Sequence, residues 1–241
     1  MRYLILLMSF TTLSFALEAY VAPRYMVWEE YDAGGDRLLR EEGWLVAFGV
    51  LGEGRLLRGG AEVYGGRINY DGQTQGGTPV RTDTVYSGFR LQGGVGWDLG
   101  EGVVFSPRLL YTLEGWVRDI RSTSYAIGYR EFWSYHTLDL KGVISHVRGR
   151  VRGYMFGTLR LMLGDAVMRT DLEGVPTLYP RRGPAFDLGC GVRVGRFRFE
   201  ISHSYVRFNR SDPVPTSSPG VFALQPESVR RTLSLTFALR F

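Results

Sequence analysis

Few residues in this chain are suited to bond-making chemistry. Three histidines, His136, His146 and His203, and one cysteine, Cys190, are the only imidazole and thiol donors in 241 residues. No His is spaced from Cys190 or from another His as zinc ligands are, so no metal site and no cofactor are expected. Ser202-His203-Ser204 sets hydroxyls beside an imidazole, but neighbours in a strand point to opposite faces. A hydroxyl nucleophile must come within about 2.6–3.2 Å of its base, so this triplet is not expected to form a dyad. Cys190 lies among alternating apolar residues and reads as a small hydrophobe, since a reactive thiol needs an electropositive setting. Gly59-Gly60, Gly65-Gly66 and Gly93-Gly94-Val95-Gly96 open no helix and make no phosphate loop. Inside strands, Gly marks bulges, curvature or close neighbours.

The abundant chemistry is ionic. There are 29 basic and 24 acidic residues, a net charge of +5, and every basic residue but Lys141 is Arg. The arginines are scattered among acids rather than gathered on a patch, which argues against nucleic acid as a partner. Arg90, Arg108, Glu114, Asp139, Lys141, Arg152, Arg160, Asp187, Arg193, Arg198 and Glu200 recur on the polar side of alternating stretches. If those stretches enclose a lumen, these side chains form a charge network within it, structural or conductive. Arg118, Arg121, Arg130, Arg181, Arg182, Arg207 and Arg210 fall at the edges of polar loops. There they could clamp lipopolysaccharide phosphates bidentately, or simply be solvated.

What must position these groups is a set of strands. Past residue 17 the signal is alternation rather than a 3.6-residue period. In Thr232–Phe241, Leu233, Leu235, Phe237, Leu239 and Phe241 share one face against Thr232, Ser234, Thr236, Ala238 and Arg240. Similar alternation runs through 85–98, 103–114, 138–144, 151–163 and 186–195. Around Gly59 to Asn69 the parity slips, which predicts a β-bulge. Tight turns are predicted at Gly52–Gly54, Gly100–Gly102, His146–Gly149 and Gly195-Arg196, and longer polar loops at 32–42, 71–82, 118–130, 164–183 and 209–228. Short turns alternating with long loops predict a ten-stranded antiparallel transmembrane β-barrel, with the turns periplasmic and the loops extracellular. Strands of about 9–11 residues suffice to cross a bilayer.

Arg2, an apolar run from Leu4 to Phe15, and small residues flanking Phe15 predict a secretory leader over 1–16, leaving a barrel of 17–241. That run is too short for a spanning helix, which needs about 20 residues. A soluble barrel would also alternate, with its apolar face inward. Charges of both signs in mid-strand favour the opposite polarity, because unpaired burial in an apolar core is costly. Trp28, Trp44, Tyr70, Tyr86, Trp97, Trp116, Trp133 and Tyr135 cluster near expected strand ends, where interfacial girdles belong. Closure also satisfies every backbone group in lipid.

Phe237, Leu239 and Phe241, in a terminal aromatic strand, resemble the recognition signal of bacterial barrel-assembly machinery substrates. The resemblance implies that machinery as a partner, beside outer-membrane lipids and lipopolysaccharide. The ten-strand plan, with Ala126–Arg130 leading into the sixth strand, resembles the omptin proteases. Omptins use an Asp pair and an Asp-His pair at the outer rim. Here the fourth loop offers Asp165, Asp171 and Glu173 without His, and Asp83 has no close acidic partner, so no catalytic residue is carried over. Lipid A deacylases use His-x-Ser, which Ser202-His203-Ser204 does not match. The expectation is an exported, non-enzymatic outer-membrane barrel, porin-like in the sense of a narrow, poorly conducting passage or a structural, surface-binding barrel. An omptin-like or lipid-modifying enzyme and a loop-based adhesin are the alternatives.

Overall fold

A computed structural model describes residues 16–74 and 77–241. Residues 1–15 of the expected leader lie outside the described residues, while Ala16 opens the first strand. The described chain is all-β, with thirteen strands. In order they are β1 (Ala16–Tyr31), β2 (Arg37–Glu53), β3 (Leu57–Gln73), β4 (Pro79–Gly96), β5 (Val103–Ile120), β6 (Tyr129–Arg148), β7 (Val151–Met162), β8 (Val167–Thr170), β9 (Arg181–Val194), β10 (Phe197–Asn209), β11 (Val214–Pro215), β12 (Phe222–Ala223) and β13 (Glu227–Arg240). Ten long strands form a closed antiparallel ring: β1 pairs with β13 and β5 with β6, so the sheet has no open edge. β8 continues the line of β7 along β6, and β11–β12 is a small separate hairpin at the loop end.

The alternation sets the polarity of the wall. Leu233, Leu235, Phe237 and Leu239 of β13 point outward and stay exposed, while Ser234, Thr236 and Ala238 between them are buried. Outward apolar side chains such as Trp44, Val63, Phe89, Leu188 and Ile201 continue the band around the ring. Charged side chains fill the interior: Glu18, Glu62, Glu114, Asp139, Arg160, Arg198 and Arg230 are all buried. An apolar exterior around an ionic interior suits lipid outside, as expected. Phe241 closes the seam, its N–H donating to the Leu17 carbonyl at 2.9 Å.

Several expectations are corrected. β3 keeps its parity and pairs with β4 without interruption from Leu57↔Val95 to Gln73↔Pro79, so the bulge expected at 59–69 is not there. Its paired glycines remove side chains from both faces and hide an alternation in which Glu62, Tyr64, Ile68 and Tyr70 turn inward. Register shifts occur instead at Glu30/Tyr31 and Val206/Phe208.

At the loop end the strands run further than expected, and the first two connections shrink to 32–36 and 74–78. Those segments look loop-like because the outward positions above the apolar band are charged. Arg231 meets Glu29 at 2.9 Å and Arg67 meets Asp83 at 3.4 Å while the chain stays in the sheet. The longer connections are 121–128, 163–180 and 210–226.

The girdle reading also fails for most of its members. Trp28, Tyr70, Tyr86, Trp116, Trp133 and Tyr135 are inside the barrel; only Trp44 and Trp97, 57% and 49% exposed, face outward.

Two glycines show what the ring demands locally. Gly195 holds φ +58° in the β9–β10 turn, a left-handed conformation that disfavours side chains. Gly88 lies under the Tyr64 ring, which packs where its Cβ would stand. Polarity is tested by Leu235→Arg, which we expect to cost about 2–4 kcal/mol in bilayer unfolding titrations. The same change at Val221, exposed but on the outer loops, should stay within about 0.5 kcal/mol.

Candidate functional site: the lumen

The interior is built in layers. The outermost centres on Arg118 of β5, which is fully enclosed and not at a loop edge as expected. It belongs inside because it continues the inward parity of Arg108, Glu114 and Trp116 on the same strand. Its Nη1 donates to Glu30 and Glu131, each at 2.8 Å, and its Nε donates to both oxygens of Glu41 at 3.0 and 3.1 Å. The carboxylates are held from other sides as well. Trp28 Nε1 donates to Glu30 and Trp133 Nε1 to Glu131, both at 2.9 Å. Thr84 and Tyr86 hydroxyls donate to Glu41. One guanidinium thus gathers carboxylates from β1, β2 and β6 across the ring.

Beneath it lies an aromatic layer. Trp116 and Trp133 stack with centroids 5.4 Å apart and planes 8° apart. Trp28 packs edge-on at 5.2 Å from Trp133, and Phe208 sits 5.4 Å from Trp133. Met26, Leu45, Ile68, Met162, Met168, Leu178 and Val206 fill in around them. The Arg230 guanidinium lies 4.7 Å from the Trp116 centroid and joins this layer to the next.

The middle layer turns on Glu114. Arg90 Nη2 donates at 2.9 Å, Tyr135 OH at 2.9 Å and Tyr64 OH at 3.2 Å, while Arg230 Nη2 forms an ion pair with Glu114 at 2.7 Å and donates to Tyr135 OH at 3.1 Å. Arg160 lies 3.6 Å from Glu114 and 3.6 Å from Asp139, and 3.9 Å from Asp187. Asp139 accepts from Thr112 at 2.7 Å and Thr137 at 2.5 Å.

Nearer the short-turn end, Glu62 takes Arg24 and the Tyr20 hydroxyl, and Glu18 takes Arg193 at 2.7 Å and Arg198 at 2.6 Å. Arg198 also donates to Glu200 at 2.7 Å, and Arg108 lies 3.2 Å from Glu53. A cavity of about 250 Å³ occupies this half and reaches the rim at Gly52, Glu53 and Arg58. Its deep end reaches Tyr64, Glu114 and Arg230 and ends against Met26 and Leu45 at the floor of the aromatic layer.

All eleven expected network residues are inward on β4, β5, β6, β7, β9 and β10. Arg152 and Lys141 stand somewhat apart: Arg152 donates to Ser145 Oγ at 2.8 Å, and Lys141 lies 3.8 Å from the Phe156 ring centroid. Sequence reasoning missed Glu18, Arg24, Glu30, Glu41, Glu62, Arg118, Glu131 and Arg230. Extending strand parity past the apolar band would have found most of them.

The other reactive groups are dispersed. His203 pairs in the ladder with outward Leu188 and Leu233, whereas Ser202 and Ser204 line the cavity wall opposite. His136 faces outward and shares a 3.0 Å hydrogen bond between its Nδ1 and Tyr111 OH. Asp165 accepts from the Arg182 N–H at 3.2 Å and Asp171 from the Arg130 N–H at 2.8 Å, as rim ties. Among the described residues no cluster of three His, Cys, Asp or Glu is arranged for a metal.

A scan against protein-family models matches none, and a search of curated proteins finds no match. Among solved structures the chain is similar to the outer membrane protease OmpT from Escherichia coli, with TM-score 0.53 and 10% identity over 96% of this chain and 99% of that one. It is also similar to the β domain of the Bordetella autotransporter BrkA, with TM-score 0.46 and 12% identity over 95% and 100%. A third is the translocator domain of autotransporter NalP from Neisseria meningitidis, with TM-score 0.41 and 11% identity over 94% and 89%. At such identities the likeness is one of fold, and the fold is that of a bacterial outer-membrane β-barrel.

Removing Arg118 leaves three enclosed carboxylates facing one another. Arg118→Met is therefore expected to destabilise the barrel by about 3–5 kcal/mol. Arg108→Met, at the wetter mouth, should cost no more than about 1 kcal/mol. Urea titration of the refolded protein, read by tryptophan fluorescence, checks the ranking; equal shifts would contradict it.

Proposed function

We propose that this chain is a non-enzymatic outer-membrane barrel, a narrow passage shut at its outer half in the conformation described. One observation carries the reading: Trp28, Trp116, Trp133 and Phe208 pack across the lumen at 0–3% exposure, beneath an Arg118 that is itself fully enclosed. Barrels with evident aqueous channels have about 16–18 strands. A ten-strand ring filled by bulky side chains leaves a blind vestibule on the short-turn side instead. The outward apolar band supports residence in the outer membrane, and Phe237, Leu239 and Phe241, in and directly after β13, suit delivery by the barrel-assembly machinery. Lipopolysaccharide would meet the outer rim. There Arg121, Arg130, Arg181, Arg182 and Arg207 each already have a carboxylate within 4.0 Å, which weakens their claim as free phosphate clamps.

A second reading, surface binding through the outer loops, is favoured by exposed apolar side chains there: Ile127 at 87%, and Tyr125 and Phe222 each at 61%. Under that reading, deleting 210–226 abolishes cell or matrix binding and leaves the barrel folded by heat-modifiable gel mobility.

Single-channel recording in planar bilayers separates the two. The passage reading expects a silent wild-type barrel and discrete steps from Trp116→Ala/Trp133→Ala. A wide, steady wild-type pore contradicts closure, and silence in both proteins moves the function to the loops.

A further inference from the structure

The cavity on the short-turn side is not neutral. Nine cationic and seven acidic side chains line it, a surplus of two positive charges in a space of about 250 Å³. The enclosed outer cluster carries no such surplus, since Arg118 sits there among three carboxylates. The excess of cations is therefore a property of the water-reachable compartment on the short-turn side.

The surplus belongs to identifiable groups. Lys141, the chain's single lysine, has no carboxylate within 4.0 Å among the described residues. Its ammonium rests on the Phe156 ring at 3.8 Å. A ring face attracts a cation without neutralising it. Arg152, from the adjacent β7, is likewise without a carboxylate and spends one Nη on Ser145 Oγ. Arg58 donates only to backbone carbonyls of Gly54 and Leu57. Arg108 pairs with Lys141 across the β5–β6 ladder, and its Nε is buried without a partner although its Nη2 reaches Glu53. Arg108, Lys141 and Arg152, on the neighbouring strands β5, β6 and β7, line the same cavity and are donors of the kinds that suit a tetrahedral oxyanion. The forks give paired hydrogen bonds and the lysine gives a point charge.

We propose that this vestibule is a binding site for a small phosphate-bearing solute entering from the short-turn side, with Lys141 and Arg152 as its principal contacts. The site does not depend on the passage reading, since it works as a binding pocket whether or not the aromatic layer ever opens. The free anion and a lipid headgroup share this chemistry, but a headgroup anchored in the bilayer reaches only the outer wall and the rims. The rim arginines Arg121 and Arg182, about half exposed or more, therefore serve as the control for headgroup-type binding.

The test is isothermal titration calorimetry of the refolded, full barrel in zwitterionic micelles with inorganic phosphate, against sodium chloride of matched ionic strength. We expect a saturable phosphate isotherm that weakens roughly tenfold or more, about 1.4 kcal/mol, in Lys141→Met and in Arg152→Gln. Arg121→Gln/Arg182→Gln should bind as the wild type does. If Lys141→Met fails to fold by gel mobility, Arg152→Gln decides alone, with Lys141→Arg expected to retain binding. The proposal is overturned if phosphate gives no saturable heat beyond the salt control. It is equally overturned if binding survives in the folded lumen variants and disappears in the rim variant.

Discussion

A closed strand ring in lipid leaves its charges only one direction to point within the apolar band. Each inward charge then needs a counter-charge or water, because an enclosed, unpaired ion costs several kcal/mol. Most of this architecture follows from that pressure. Arg118 satisfies it by reaching Glu30, Glu41 and Glu131 on three other strands, and Glu114 satisfies it by collecting Arg90, Arg160 and Arg230. Arg118–Glu131 and Arg90–Glu114 join ladder neighbours, whereas Arg118 to Glu30 and Glu41 and Arg230 to Glu114 link strands that are not paired and brace the wall as internal struts. Arginine suits the task better than lysine because one planar fork can serve several acids at once.

The same pressure explains why the two halves of the lumen differ. Toward the loop end, tryptophans and Phe208 expel water, and Arg118 above them is held by three carboxylates. Toward the turn end, the smaller inward residues Gly60, Ser202, Ser204, Thr232, Ser234 and Thr236 leave open space, and the ions there share it with solvent. Function is therefore to be sought on either side of a seal, in the vestibule or on the outer loops.

Much of this was legible in the sequence, and the reasons for the gaps are physical. Thr232–Phe241 announces its strand and its faces because no glycine interrupts the alternation. β3 does not, because Gly59, Gly60, Gly65 and Gly66 blank out both faces at once. Trp116 and Trp133 near strand ends suit a girdle as well as a plug. Only parity decides, and Trp116 shares the parity of Arg108 and Glu114. The stretch holding Arg40, Glu41 and Glu42 reads as a loop because both faces are polar once the strand has left the lipid. The pairing of Arg118 with Glu30, 88 residues away in sequence, depends on how the ring closes. No local pattern encodes that. The reactive-looking Ser202-His203-Ser204 was readable from period two alone: His203 lies outward and the serines inward.

The central claim is that a sealed aromatic layer divides the lumen into two compartments, and accessibility tests it most directly. In a Cys190→Ser background, Thr236→Cys and Ser202→Cys each place a thiol in the vestibule wall. The barrels are refolded into vesicles of known orientation and treated with a membrane-impermeant thiol reagent. The account predicts reaction from the short-turn side and none from the loop side. Equal rates from both sides would contradict it, because the tryptophan layer would then not close the barrel.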